Sequence, residues 1–449
     1  MSSVIHRSLS NSLPTLSHGE GLFVYDNQNN SYLDASGGAA VCCLGHNHPA
    51  PIEAIHRQIS QLPYIHSGFF TSDVTEELAE ELAALAPGDI RHTLFLSGGS
   101  EAVESALKLA RQYYFEKGQT KRNHFISRRQ SYHGNTLGVL AVGHHESRKE
   151  PYRPLLIDSH AISPCYPYRE QRADESEQEY GRRIADELEA KILELRPESV
   201  IGFVAETVGG ATAGVQPPVD GYLKRIRQIC DRYGILLILD EVMCGSGRTG
   251  TFFSCEQDGV IPDIVILAKG LGAGYQPIAA TMCSSEIYDT LQQGSGSLAN
   301  GFTYMGHATA CAASLAVIRT IEEDNLLENV TRQGKLLVNL LNERLGSHPN
   351  VGDIRGRGLF VGVEFVAKSQ TREPFDPRLQ FHSVLKQACH KNGLLVYPGG
   401  GTIDGKNGDH VLLAPPYIVD EAHIEMIVDR LYQSIEDGLK TIKSSTVAA

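Results

Sequence analysis

Two residues between Ile235 and Gln276 have types and positions suited to chemistry: Asp240 and Lys269. The apolar run Ile235–Leu239 leads directly into Asp240-Glu241, the pattern of a strand buried on both faces of a parallel sheet with its polar residues at the carboxyl end. The run from Asp263 to Ala268 repeats this and delivers Lys269, followed by Gly270, Gly272 and Gly274. A lysine held there is desolvated, which disfavours its ammonium form and leaves the amine nucleophilic near neutral pH, as a Schiff-base lysine requires. A buried Asp240 needs a cationic partner, and a protonated pyridine nitrogen would supply one. Together the pair describes a pyridoxal phosphate site. The competing reading of the same two residues is a solvent-facing lysine at a helix start and an aspartate capping a strand.

The elements that must position this pair follow from the surrounding pattern. Residues 21–34 alternate apolar and polar around Asn27–Asn30, a hairpin signal. Helical spacing recurs from Pro51 to Leu62 and from Asp73 to Ala86. Thr93–Leu96 reads as a strand, Ser97–Ser100 as a Gly-Ser turn, and Glu101–Arg111 as an amphipathic helix; free N–H groups at such a helix start suit an anion. Another strand, His124–Ser127, leads to Tyr132, His133 and Gly134, and Val200–Ala205 ends in Glu206. Strand and helix alternate from about residue 90 to 285, which predicts an α/β fold with an open, mostly parallel sheet covered by helices on both faces. Ligands bind such sheets at the strands' carboxyl ends, where Ser97–Ser100, Tyr132, Glu206, Asp240 and Lys269 all fall. Beyond Gly301 the pattern predicts a small-residue helix continuing as a long helix to Ser347, then a turn and strand at 355–364. A terminal helix follows Asp420, and a frayed end is expected after Lys440.

Composition narrows the function classes. The 449 residues carry 40 Lys and Arg against 53 Asp and Glu, a net charge of −13 that argues against a nucleic-acid partner. No apolar run approaches the roughly 18 residues of a membrane span. The first 19 residues are Ser-rich and acid-free around Arg7, faintly like a transit peptide, but no apolar signal core follows. Nine cysteines without CxxC spacing read as reduced thiols, so a cytoplasmic location is the default expectation. The pairs His46/His48 and His144/His145 lack companion ligands at zinc spacing, so no metal is expected. The missing GxGxxG weakens a dinucleotide-dependent dehydrogenase.

The motifs LDEVMCGSGRTG, AKGLGAGY, SGGSEAVESALKLAR, SYHGNTLG and GFTYMGHA, in this order, resemble the class III (omega) aminotransferases of PLP-dependent fold type I over nearly the whole chain. The resemblance implies a large PLP-binding domain at 61–315 and a smaller α/β domain built from residues 1–60 and 316–449. It implies that Lys269 holds the cofactor and shuttles a proton, and that Asp240 pairs with the pyridinium nitrogen. Tyr132 and Val242 would flank the ring, with His133 beside them and Glu206 near the phenolic side. Gly99 and Ser100 would cradle the phosphate, together with Thr303 and Phe302 reaching across from a second subunit of a homodimer or tetramer. The implied activity is ping-pong transfer of an amino group from an amine or omega-amino acid to pyruvate or 2-oxoglutarate. Several departures bear on the substrate. Ala40 aligns where many relatives carry an entrance Trp, leaving Phe69 or Phe70 to build that wall, and residues 398–410 contain no Arg, leaving Lys406 or His410 to meet a carboxylate. Arg248 is expected in a structural salt bridge. The alternatives are a decarboxylase or aminomutase on the same scaffold, or a non-catalytic sensor.

Overall fold

The computed structural model describes residues 3–9 and 12–447, with side chains as far as residue 444. At its centre is a seven-stranded sheet whose strands stand in the order Ile90–Leu96, Ala279–Ser284, Ile264–Leu267, Leu236–Asp240, Val200–Glu206, His124–Arg128 and His160–Ile162. The last five pair in parallel. The strand Ala279–Ser284 runs antiparallel to both neighbours. The link from Lys269 to Ile278 is too short for a crossover helix, so the chain must reverse there. This reversed strand was not legible in the sequence pattern.

Alternate residues of the central strands feed separate cores on the two faces of the sheet. Leu237, Leu239, Val265 and Leu267 pack on one side, while Leu236, Ile238, Ile264 and Ile266 pack on the other. Continuous apolar runs are the consequence of covering both faces with helices. Helix Gly99–Glu116 lies over one face, and helices Glu177–Leu195 and Tyr222–Tyr233 over the other.

A second, antiparallel sheet contains Val351–Arg357, Phe360–Phe365, Asp409–Leu413 and Tyr397–Gly400. A third joins the strands Leu16–Glu20, Phe23–Asp26 and Ser31–Asp34 to Leu394–Leu395, which adds in parallel to the last of them. Both ends of the chain therefore share one apolar core, with Leu22, Leu33 and Leu44 packed among Leu337, Phe365 and Ile427.

Two expectations in the last third change. The small-residue helix Ala308–Glu323 does not continue to Ser347: Asn325 takes a left-handed conformation, φ 52°, and a new helix runs from Leu326 to Leu345. Asn tolerates that conformation better than most residues. The terminal helix is not frayed after Lys440 but extends over Glu421–Val447, because Leu439 and Ile442 prolong the buried stripe begun by Ile435. The Ser-rich segment at 1–19 falls partly outside the described residues.

The second sheet packs, at a glycine, against the loop that follows the central strand Val200–Glu206. A Cβ on Gly362 would stand 2.1 Å from the carbonyl oxygen of Gly214. Gly362→Ala must displace that backbone, so we expect a stability loss of about 1–3 kcal/mol. It is read as a lower urea midpoint, and an unchanged midpoint would show that the loop at 209–216 yields without cost.

Candidate active site

The carboxyl ends of the parallel strands open into a cavity of about 470 Å³. Parallel register sets Glu206 directly opposite Asp240, and Asp240 opposite Ile266, three residues before Lys269. Ser97 to Ser100, Tyr132, His133, Val242 and Lys269 line the same cavity. The sequence reading brought these residues to one edge, and the structure brings their side chains to one volume. The link that leads into the reversed strand adds Gln276, Pro277 and Ile278 to the lining.

Asp240 is 4 % exposed and held from two sides. Its Oδ1 accepts from the Val242 amide at 3.0 Å, and its Oδ2 meets His133 Nδ1 at 2.8 Å. His133 Nε2 is buried without a hydrogen-bond partner in the protein. Glu206 Oε1 accepts from the Tyr132 amide at 3.1 Å and Oε2 from the Gly210 amide at 2.7 Å. Burial raises the Glu206 carboxyl, with Asp240 adding to the effect and His133 and Arg128 opposing it. Next along the chain, Glu241 turns into the core and accepts from Thr207 Oγ1 and from the amides of Ser254 and Cys255. Burial pushes its carboxyl up to about 7.

Lys269 sits in the left-handed region at φ 47°, a conformation that costs about 1–3 kcal/mol for a residue with a side chain. The turn that follows holds it there, since the amides of Gly272 and Ala273 donate to its carbonyl at 3.1 and 3.0 Å. Burial lowers the amine from 10.5 to about 8; Asp240 and Glu206 resist this, and Arg248 assists. Arg248 itself does not form the expected salt bridge. It is 1 % exposed, donates to the carbonyls of Leu359 and Pro415 and stacks over Tyr417, with no carboxylate partner among the described residues.

At the start of helix Gly99–Glu116 the cap is Gly98, whose side chain offers nothing to the free amides. A Cβ on Gly99 would approach Val242 Cγ1 to 3.0 Å, and Ser100 Oγ accepts from the Asn135 amide at 3.0 Å. The hollow is therefore walled by backbone amides and a hydroxyl.

Other residues singled out in the sequence lie elsewhere in this protomer. Ala40 is 2 % exposed in a small core with Val208 and Phe360, while its neighbours Ala39 and Val41 line the cavity. Phe69 and Phe70 are 80 % and 67 % exposed, Thr303 and Lys406 are also exposed, and Phe302 packs beside the core under helix Gly99–Glu116. Lys406 belongs to a turn in which its amide donates to Asp404, and His410 is fully buried against Thr402. Asp34, Cys42 and His46 cluster within 4.8 Å, but Asp34 and His46 pair at 3.2 Å and burial pushes the Cys42 thiol up to about 11, which suits a hydrogen-bonded pair better than a ligand set. Sequence reasoning did not find Arg7, Arg148 and Tyr397, which also line the cavity. Nothing in their local pattern marks them, because each comes from a segment far from the strand ends.

Comparison with known proteins agrees with this geometry. Residues 4–435 match the family model for Aminotransferase class-III. An uncharacterised aminotransferase of Schizosaccharomyces pombe is 45% identical over 438 residues, covering 97% of this chain and 94% of the relative. A putrescine–pyruvate aminotransferase of Pseudomonas aeruginosa is 34% identical, covering 92% and 88%. Among solved structures, an (S)-enantioselective omega-transaminase from Thermomicrobium roseum superposes with a TM-score of 0.90 at 34% identity, over 96% of each chain. With its parallel sheet, its strand-end lysine and a match over almost its whole length, the chain belongs to the class III aminotransferase family.

Proposed function

We propose that this protein transfers an amino group from an amine or omega-amino acid to a 2-oxo acid, pyruvate or 2-oxoglutarate, in two half-reactions with pyridoxal phosphate bound at Lys269. The observation that carries this reading is the placement of one desolvated lysine and one buried, doubly held aspartate at neighbouring strand ends of a single cavity. The residues present fit the cofactor. The amides at Gly99 and Ser100 and the Ser100 hydroxyl suit a phosphate, Tyr132 and Val242 suit the two faces of a ring, and Asp240 suits a protonated ring nitrogen. The buried, unpartnered His133 Nε2 is a further polar atom for which such a group would account. When bound, the cofactor supplies an electron sink that stabilises negative charge on the substrate carbon.

The chain's own residues do the rest. Lys269 takes the proton from the substrate carbon as a neutral amine and delivers it back as the ammonium so formed. Asp240, oriented by His133 and the Val242 amide, keeps the ring nitrogen protonated. Glu206, beside Asp240 at the carboxyl end of the neighbouring strand, positions the ring's oxygen-bearing side. The exposed Thr303, which is not among the residues lining this cavity, supports a homodimer in which Thr303 and Phe302 complete a neighbouring site. We also propose division at 1–60, 61–315 and 316–449, supported by the shared core of the chain ends. A cytoplasmic location is supported by nine free cysteines; among the described residues no helix is long and apolar enough to cross a membrane.

The test is a donor panel followed by absorbance. Omega-amino acids, diamines, aromatic amines and α-amino acids are added singly to protein loaded with cofactor, and loss of the visible band with one class is expected. No response to any donor would overturn the proposal. Lys269→Ala is expected to abolish turnover, and Asp240→Asn to reduce kcat by about 100-fold or more, as removal of a preorganised charge does elsewhere. A capture assay probes the amine directly. Only the neutral form attacks, so the rate of cofactor capture by apo protein should rise with pH and level off above about 8. An ordinary lysine would keep rising towards its usual value near 10.4.

A further inference from the structure

Two guanidinium groups line the mouth of the cavity, and neither has a role in the reading above. Arg148 comes from the short segment after helix Leu137–Val142 and stacks on Tyr132, 4.7 Å from the ring centroid. Arg7 comes from the N-terminal segment, more than 120 residues away in sequence, and lines the same cavity. Both are exposed, and neither makes an ion pair among the described residues. Both lie close enough to Tyr132 to oppose the burial that raises its hydroxyl. The cavity's carboxylates are committed elsewhere: Asp240 to His133 and the Val242 amide, Glu206 to the amides of Tyr132 and Gly210. Two planar donors, free of carboxylate partners and facing one opening, form a site for a carboxylate. Of the cations near 398–410, Lys406 lies on an exposed turn and is absent from the cavity lining, and His410 is buried against Thr402.

We propose that Arg148 and Arg7 together bind the substrate carboxylate, so that the N-terminal segment is a specificity-determining part of this cavity. The proposal rests on the amino-transfer reading for the identity of the substrates, but not for the binding itself. Stacking on Tyr132 holds the Arg148 fork in one plane, which preorganises it for two parallel hydrogen bonds. Arg7 adds a second charge to the same cavity from the N-terminal segment. The chain's net charge of −13 would otherwise repel anionic substrates, and two cations at the mouth offset this locally.

The experiment titrates cofactor-loaded protein with glutarate and, separately, propionate, two unreactive carboxylates, by calorimetry. Wild type is compared with R148Q and R7Q. Both substitutions are expected to weaken glutarate binding by about tenfold or more, the usual scale for losing a charge-assisted hydrogen bond. They should also raise KM for 2-oxoglutarate at least that much more than KM for butanal, which has no carboxylate. Equal weakening for propionate assigns the arginines to the carboxylate beside the reacting carbon; weakening for glutarate alone assigns them to the distal one. Either result supports the proposal. Wild-type affinity in both variants, a loss in only one of them, or no glutarate binding to wild type overturns the shared clamp. If binding depends on both arginines but no donor converts the cofactor, the amino-transfer reading fails while the carboxylate site stands.

Discussion

The site depends on making one amine easier to deprotonate although it stands beside two carboxylates. At an effective dielectric of about 20, unit charges 4 Å apart attract by about 4 kcal/mol, enough to hold an ordinary lysine protonated well past neutrality. Burial must outweigh that attraction, and it does: the Lys269 amine falls to about 8 although Asp240 and Glu206 both pull it upward. Two features of the surroundings favour this outcome. The carboxylates are already satisfied by amides and by His133, which spreads their charge away from the amine. The buried Arg248 guanidinium, with no carboxylate of its own among the described residues, disfavours a second cation nearby.

That electrostatic balance requires a rigid frame. The parallel register between Val200–Glu206 and Leu236–Asp240 fixes the two acids side by side, and packing on both faces of the sheet prevents a slip. The strand Ala279–Ser284 then reverses direction, bringing the link after Lys269 back over the cavity rather than away from it. Within that link, small residues allow close approach. Cys43 Sγ reaches the Gly270 carbonyl at 3.4 Å, and Ser314 Oγ donates to the Leu271 carbonyl at 2.9 Å. Residues from the chain's first fifty and from the helix Ala308–Glu323 therefore hold the lysine turn in its strained conformation.

What the sequence revealed followed from local physics. Buried strands ending in polar residues mark themselves by composition, so Glu206, Asp240 and Lys269 were legible, as was the Gly-Ser helix start at Ser97–Ser100. The direction of the strand Ala279–Ser284 was not, because direction depends on where a strand pairs and not on its own residues. The break at Asn325 was missed because helical periodicity runs on both sides of it and only one residue departs. Arg248 appeared destined for an ion pair because charge is visible in sequence and burial is not; the fold instead gives its Nη1 two carbonyls and its guanidinium an aromatic face, and leaves Nε and Nη2 buried without a hydrogen-bond partner in the protein. Arg7, Arg148 and Tyr397 were invisible as site residues since only the tertiary fold brings them to the cavity.

Substrate choice follows from what the walls are made of. Apart from Tyr132 and Tyr397, much of the apolar lining of the cavity is small or flexible: Ala39, Val41, Val208, Ala211 and Met243. An apolar wall of that kind separates substrates differing by one methylene by only about 1–3 kcal/mol, whereas a site built to pair with a polar group rejects ligands lacking it far more strongly. With no tryptophan anywhere in the chain to narrow the entrance, shape is a weak filter here. Discrimination must then come from the charged groups around the opening. In a protein of net charge −13, Arg7 and Arg148 are the exposed cations lining this cavity, and the carboxylate site proposed for them would supply that discrimination.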